Sequence, residues 1–216
     1  MEVGFDYRFL HPFTSILAGP TGCGKTVFCI KLIEHAEKAI YPPPERVYWF
    51  YSQWQDAYND ERLKNVIFQE GLPTTWPMEE EERSRPRTLL ILDDLMSSVM
   101  GKVMQLWTQG SHHWNTSCLL ITQNLFYNCK EFRNLNLNSH YTILFKCPRD
   151  VGQLMYLARQ AFPGKGAYVK DAYSDCTSKR YGYIIWDFKG STPDEYRLRS
   201  DIFGEGPGLC TVYLPK

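Results

Sequence analysis

Large apolar residues fall in short blocks along this chain, separated by glycine, proline and charge. The first block, Phe13-Thr14-Ser15-Ile16-Leu17-Ala18, contains β-branched residues and predicts a strand. Val27 to Ala36 is apolar enough for a buried helix, which should end near Ala39 because Pro42-Pro43-Pro44 cannot continue it. The aromatic run Arg46-Val47-Tyr48-Trp49-Phe50-Tyr51 predicts a second strand. Gln53 to Gln69 is mixed and polar, and predicts a helix followed by a short strand at Val66-Ile67-Phe68. Gly71-Leu72-Pro73 opens a loop bearing the acidic run Glu79 to Glu82, read as a solvated face that Arg83, Arg85 and Arg87 balance.

Leu89-Leu90-Ile91-Leu92 is continuously apolar, the signature of a central strand buried on both faces. Residues 95–110 read as a helix with Val99, Val103, Leu106 and Trp107 on one apolar face. Ser117 to Asn124 predicts a further strand, Arg133 to Ser139 a polar connection, and Tyr141 to Lys146 another strand. Pro148-Arg149-Asp150 opens a helix running through Gln160, and Pro163-Gly164 ends it. A short helix around Ala167–Ala172 precedes a last strand, Tyr181 to Phe188, which alternates enough to be an edge. The charged stretch Thr192 to Arg199 should cross back over the sheet. Helices interleaved with strands predict an α/β sandwich of three layers around a central, mostly parallel sheet. No repeat, low-complexity segment or linker divides the 216 residues, so the reading is one domain: an arm over 1–12, a core over 13–203 and a tail over 204–216.

Chemistry enters between the first strand and the first helix. Gly19-Pro20-Thr21-Gly22-Cys23-Gly24-Lys25-Thr26 is the Gly-x-x-x-x-Gly-Lys-Thr pattern of a phosphate-binding P-loop, in the strand–turn–helix context that gives the pattern meaning. Its glycines permit positive φ and close approach of backbone to an anion. Amides from Gly22 to Thr26, at a helix N-terminus, suit the phosphates of ATP. Lys25 would reach the β- and γ-phosphates, and the Thr26 hydroxyl would coordinate Mg²⁺. Asp93 and Asp94 follow the central strand at its C-terminal end, where α/β sheets place their ligands. Buried acids there call for a cation or water. Asp93 is read as holding Mg²⁺ and Asp94 as polarising the attacking water. Gln123, at the end of the next strand, either faces the γ-phosphate as a sensor or satisfies backbone groups.

Bulk properties narrow the class. The 24 basic and 24 acidic residues cancel, so any nucleic-acid contact must come from a local patch or a ring of subunits. Seven cysteines without a Cys-x-x-Cys pair argue against zinc and for reduced thiols inside a cell. There is no secretory leader and no apolar run that would span a membrane, so the protein is expected to be intracellular, not secreted. His112 and His113 lack further ligands nearby, and their loop is either plain surface or a nucleic-acid contact. No Asn-Lys-x-Asp segment reads a guanine base, and no arginine-bearing lid of a small-molecule kinase is evident.

Gly19–Thr26, Leu89–Asp94, Ile121-Thr122-Gln123-Asn124-Leu125-Phe126 and Phe145-Lys146-Cys147-Pro148-Arg149-Asp150 together resemble the viral DNA-packaging ATPases of the FtsK/HerA P-loop superfamily. The poxvirus-type enzymes of Maverick/Polinton elements, adintoviruses and virophages are the most similar group; the tail, Tyr181-Gly182-Tyr183 through Asp194-Glu195-Tyr196-Arg197-Leu198-Arg199, resembles them too, and the resemblance covers about Phe13 to Phe203. It implies the P-loop NTPase fold of the additional-strand, RecA/FtsK-like branch. It also implies a homo-oligomeric ring that pulls double-stranded DNA into a capsid, working with a capsid or portal protein in the host nucleus or cytoplasm. Hydrolysis at a subunit boundary needs a positive charge in trans, and Arg133 and Arg149 are the candidates. One departure stands out: many relatives carry Glu where this chain has Asp94, a side chain one methylene shorter. Two other classes compete, a nucleotide-gated scaffold subunit with negligible hydrolysis and a P-loop kinase of a small acceptor.

Overall fold

Adjacent residues of the central strands bury into two different cores, which is what a sheet covered on both faces requires. In β6 (Thr88–Asp93), Leu89 and Ile91 pack with Phe28 and Leu32, whereas Leu90 and Leu92 pack with Leu106, Leu154 and Leu157. The computed structural model describes residues 5–79, 85–95, 100–110, 113–125, 130–149, 151–204 and 210–215. The acidic run beyond Glu79, Arg83, Val99, His112, Phe126 and Asp150 lie outside them.

Among the described residues the main sheet has nine strands, in the order β11-β10-β9-β8-β2-β7-β6-β4-β5. Its parallel part runs from β8 (Tyr141–Phe145) through β2 (Thr14–Ala18), β7 (Thr116–Thr122), β6 and β4 (Arg46–Tyr51) to β5 (Ile67–Glu70). Beyond β8 the sheet turns antiparallel, with β9 (Tyr183–Asp187), β10 (Leu198–Ser200) and β11 (Thr211–Val212). One face is covered by α1 (Lys25–Glu34), which buries Phe28, Cys29, Ile30 and Leu32. The other carries α3 (Met100–Gln105), α4 (Lys130–Leu137), α5 (Val151–Ala161) and α6 (Gly166–Cys176). The short α2 (Ala36–Ala39) ends at Ala39 as expected and leads into β3 (Ile40–Tyr41), which pairs in parallel with β1 (Phe9–Leu10) as a separate ribbon. The architecture is the expected α/β sandwich with a mostly parallel sheet.

Several elements differ from expectation. The Tyr181–Phe188 stretch is not an edge: β9 lies inside the sheet with every residue buried, because the following chain adds two more strands outside it. Thr192–Arg199 does not cross over the sheet; a 3-10 turn at Asp194–Tyr196 delivers β10 antiparallel to β9. A buried ion pair joins these strands, Arg199 Nη2 to Asp187 Oδ2 at 2.8 Å. Gln53–Gln69 forms two 3-10 turns, Asp56–Asn59 and Glu61–Leu63, in place of a helix, and its strand starts at Ile67. Arg133–Ser139, expected as a connection, is mostly helical, since Phe132 and Leu135 sit one turn apart and both bury. The helix expected over 95–110 is α-helical from Met100 and closes in a π-helical turn, Leu106–Gly110. The helix around Ala167–Ala172 extends over Gly166–Cys176.

Candidate active site

β2 ends at Ala18, and the chain turns over the sheet edge with Gly19 N–H donating to the Thr122 carbonyl at 3.3 Å. The loop closes on itself through Cys23 N–H to Pro20 O, 3.3 Å, and enters α1 at Gly24. Gly22 and Gly24 have φ of 78° and 110°, conformations that L side chains rarely adopt. Gly24 is the N-cap residue and provides no side-chain cap, so the first-turn amides of α1 keep their capacity to bind an anion. Space restricts the loop as well. A Cβ on Gly19 would lie 2.7 Å from Cys23 Sγ and 2.8 Å from Phe145 Cβ. Lys25 folds back into the loop, its Nζ donating to Gly19 O at 2.6 Å and Pro20 O at 3.0 Å. Those bonds hold the ammonium against the loop backbone.

Strand order brings the acids to the loop. β7 lies between β2 and β6, with Ala18 opposite Thr122 and Asp93 opposite Ile121. Thr21, Gly22, Gly24, Lys25 and Thr26 therefore share one cavity of about 390 Å³ with Asp93, Asp94, Thr122 and Gln123. Asp93 is 5% exposed, and Tyr58 Oη donates to its Oδ2 at 2.7 Å. Burial pushes the Asp93 carboxyl above its ordinary range, and the Tyr58 hydrogen bond pulls it back toward ionisation. The same burial, with the Asp93 charge beside it, drives the Tyr58 phenol upward, so it stays protonated and serves as a donor. Asp94 is exposed, with a left-handed φ of 54°, and Gln123 is exposed one residue beyond β7. Burial also raises the Cys23 thiol, which remains protonated.

These groups fit a nucleoside triphosphate with its cation. The cradle offers backbone amides and an ammonium, and the Thr26 hydroxyl and the Asp93 carboxylate, hard oxygen donors suited to magnesium, line the same space. Pro20 and Cys23 shape the loop without lining the cavity. Arg133 and Arg149 do not line it either; Arg133 is exposed on α4 and Arg149 in the turn before α5. Three contributors to the site carry no site signal in the sequence: Gln55 and Tyr181, which line the cavity, and Tyr58, which holds Asp93. No spacing links Tyr58 to Asp93, 35 residues later; only the pairing of β4 with β6 brings them together.

Among the described residues, no helix is long and apolar enough to cross a membrane. No protein-family model and no curated protein matches the sequence. Solved structures do. The genome packaging NTPase B204 from Sulfolobus turreted icosahedral virus 2, in complex with sulfate, is 13% identical over 95% of this chain and 97% of its own, with a TM-score of 0.52. The B204 complex with ATP-gammaS is 14% identical over 92% of this chain and 98% of its own, at 0.52. The AMPPCP complex is 14% identical over 94% of this chain and 98% of its own, at 0.51. The chain thus has a P-loop NTPase fold, shared nearly end to end with the B204 packaging NTPase.

Proposed function

We propose that this chain is an ATP-hydrolysing motor that translocates double-stranded viral DNA into a capsid. One observation carries the reading: the order β2-β7-β6 sets Lys25 and Thr26, Asp93 and Asp94, and Gln123 around a single cavity. In this mechanism the amides of Gly22 to Thr26 and the Lys25 ammonium bind and orient the triphosphate. Thr26 and Asp93 would hold Mg²⁺, which offsets phosphate charge when bound. Asp94, exposed at the strand end, accepts the proton of the attacking water, and Gln123 orients that water from β7. Arg133 and Arg149, which stand outside the cavity, are placed in the role of a charge given to the next subunit of a ring.

The likeness of fold to a genome packaging NTPase supports the packaging role. A local basic surface supports the anionic partner. Lys146, Arg149, Arg159, Lys165 and Lys170 are all exposed on and around α5 and α6; between residues 146 and 170 Asp150 is the sole acid, while the end of α6 adds the exposed Asp171 and Asp175. The proposal includes residues 1–216 working as one domain, a homo-oligomeric ring, a capsid or portal partner, and an intracellular site of action.

ATP turnover measured with and without double-stranded DNA, across a salt series, tests it. The expected result is stimulation by DNA that falls steeply as salt rises. Turnover indifferent to DNA at low salt refutes the motor. The exposure of Asp94 and its short side chain favour a second reading, a nucleotide-gated scaffold subunit. Equal, slow turnover by wild type and Asp94→Asn, with both still assembling, would establish the scaffold instead.

A further inference from the structure

Tyr181 lines the same cavity as Gly24, Lys25 and Thr26, although it belongs to the turn between α6 and β9. Resting on the nucleotide-site reading above, we propose that Tyr181 is the platform on which the base of the bound nucleotide stacks.

Strand order sets the direction of the ligand. Asp93, Asp94 and Gln123 stand on the β6–β7 side of the P-loop strand, so the γ end of a triphosphate faces that side. A chain of phosphates laid from there across the N-terminus of α1 would bring its nucleoside end to the opposite side, where β8 and β9 follow β2 in the sheet. Tyr181 stands there, two residues before β9 begins. Its Cβ, Cγ and Cδ1 lie 2.7–2.9 Å from the point where a Cβ on Gly24 would sit, so the ring abuts the loop backbone itself.

The turn is built to hold that ring outward. Tyr181 is 38% exposed and adopts a left-handed φ of 61°, uncommon for an aromatic residue and kept only where the surroundings impose it. They do so here. Gly182 N–H donates to Lys179 O at 3.1 Å, and a Cβ on Gly182 would lie 2.0 Å from the Cys176 carbonyl oxygen, which fixes the path of the chain. Arg180 supplies the second constraint: its Cζ is 4.7 Å from the ring centroid, and its Nη2 donates to Tyr181 Oη at 2.8 Å. A phenol carrying a guanidinium, exposed beside a phosphate cradle, has the chemistry to stack on a planar heterocycle.

Binding of ATP and of inorganic tripolyphosphate, each with Mg²⁺, to wild type, Tyr181→Asn and Tyr181→Phe tests this by calorimetry. Asn tolerates the left-handed backbone and removes the ring; Phe keeps the ring and removes the hydroxyl. The expected result is a loss of about tenfold or more in ATP affinity for Tyr181→Asn, with tripolyphosphate affinity within about twofold of wild type and Tyr181→Phe near wild type for both. If Tyr181→Asn binds ATP as wild type does, or loses both ligands to the same degree, the platform is refuted. If wild type binds neither ligand, the nucleotide-site reading itself fails.

Discussion

Tyr58 and Asp93 meet inside the protein, the phenol donating to Oδ2 at 2.7 Å beside a carboxylate that is 5% exposed. The bond orients one carboxylate oxygen and steadies its charge in a site where burial alone favours protonation. Tyr58→Phe keeps the ring, which packs against Trp49 and Phe68, and deletes only the donor. A lost hydrogen bond to a buried charge costs about 1.5–3 kcal/mol. The expected outcome is an ATP turnover about tenfold lower or more, with a higher Mg²⁺ requirement and unchanged far-ultraviolet circular dichroism. Turnover and Mg²⁺ titration measure it; unchanged Mg²⁺ dependence would deny Tyr58 its orienting role.

Gly24→Ala should fail for two physical reasons at once. Its φ of 110° strains any L side chain, and the new Cβ would meet Tyr181 at 2.7–2.9 Å. Left-handed strain and overpacking each cost about 1–3 kcal/mol. The variant is expected to unfold at a urea midpoint below wild type and to bind ATP at least tenfold more weakly. Gly22→Ala is the informative partner. It shares a positive φ of 78° but meets nothing within 4 Å, so its loss of stability should be the smaller of the two. Urea unfolding of both variants checks the order.

His11 makes folding sensitive to pH. Burial holds its imidazole below the ordinary 6.5, because the charged form is poorly solvated there. Its Nδ1 lies 2.6 Å from Ser117 Oγ and its Nε2 3.0 Å from Asn115 Oδ1. A neutral ring satisfies both, donating from Nε2 and accepting at Nδ1. The folded value lies below the unfolded one, so the unfolded chain binds more protons as pH falls. Stability from this group is therefore complete above about 6.5, the unfolded value, and declines as pH drops through and below it. Unfolding midpoints between pH 5 and 8 should fall on the acid side, and His11→Gln should flatten that fall. A variant with the same acid slope as wild type would assign the effect to other groups.

How much of this was legible beforehand follows from how local each signal is. Gly19–Thr26 and Thr88–Asp94 declared themselves because loop, strand and chemistry are contiguous there, and the placement of β7 between β2 and β6 agrees with the position Gln123 needs to face the loop. β10 and β11 were invisible: strands of three and two residues carry no period, and only pairing makes them strands. α4 hid behind Asn134, Asn136 and Asn138, which read as turn residues, while Phe132 and Leu135 anchor it. Tyr58, Gln55 and Tyr181 reach the site through tertiary packing, for which the sequence contains no spacing rule.

The exposed arginines give the last prediction. Neither Arg133 nor Arg149 lines the cavity of its own subunit, so if one of them serves catalysis it must serve a neighbour's. A trans arginine is worth about 10³–10⁵ in rate, so the corresponding Ala variant should be nearly inactive while still binding ATP. Lys25→Ala should also be inactive, because the phosphate cradle loses its ammonium, yet it keeps both arginines. In a ring with one arginine serving each boundary, random 1:1 mixing of the two dead proteins leaves about a quarter of boundaries with an intact loop facing an intact arginine. Of Arg149→Ala and Arg133→Ala, one is expected to be nearly inactive and the other close to wild type, and mixing Lys25→Ala with the inactive one is expected to restore turnover. Recovery identifies the arginine that acts across the boundary. Silence of that mixture would deny the inactive variant's arginine a role across the boundary, and full activity of both single arginine variants would remove these two residues from the catalytic cycle and send the search to another cation of the neighbouring subunit.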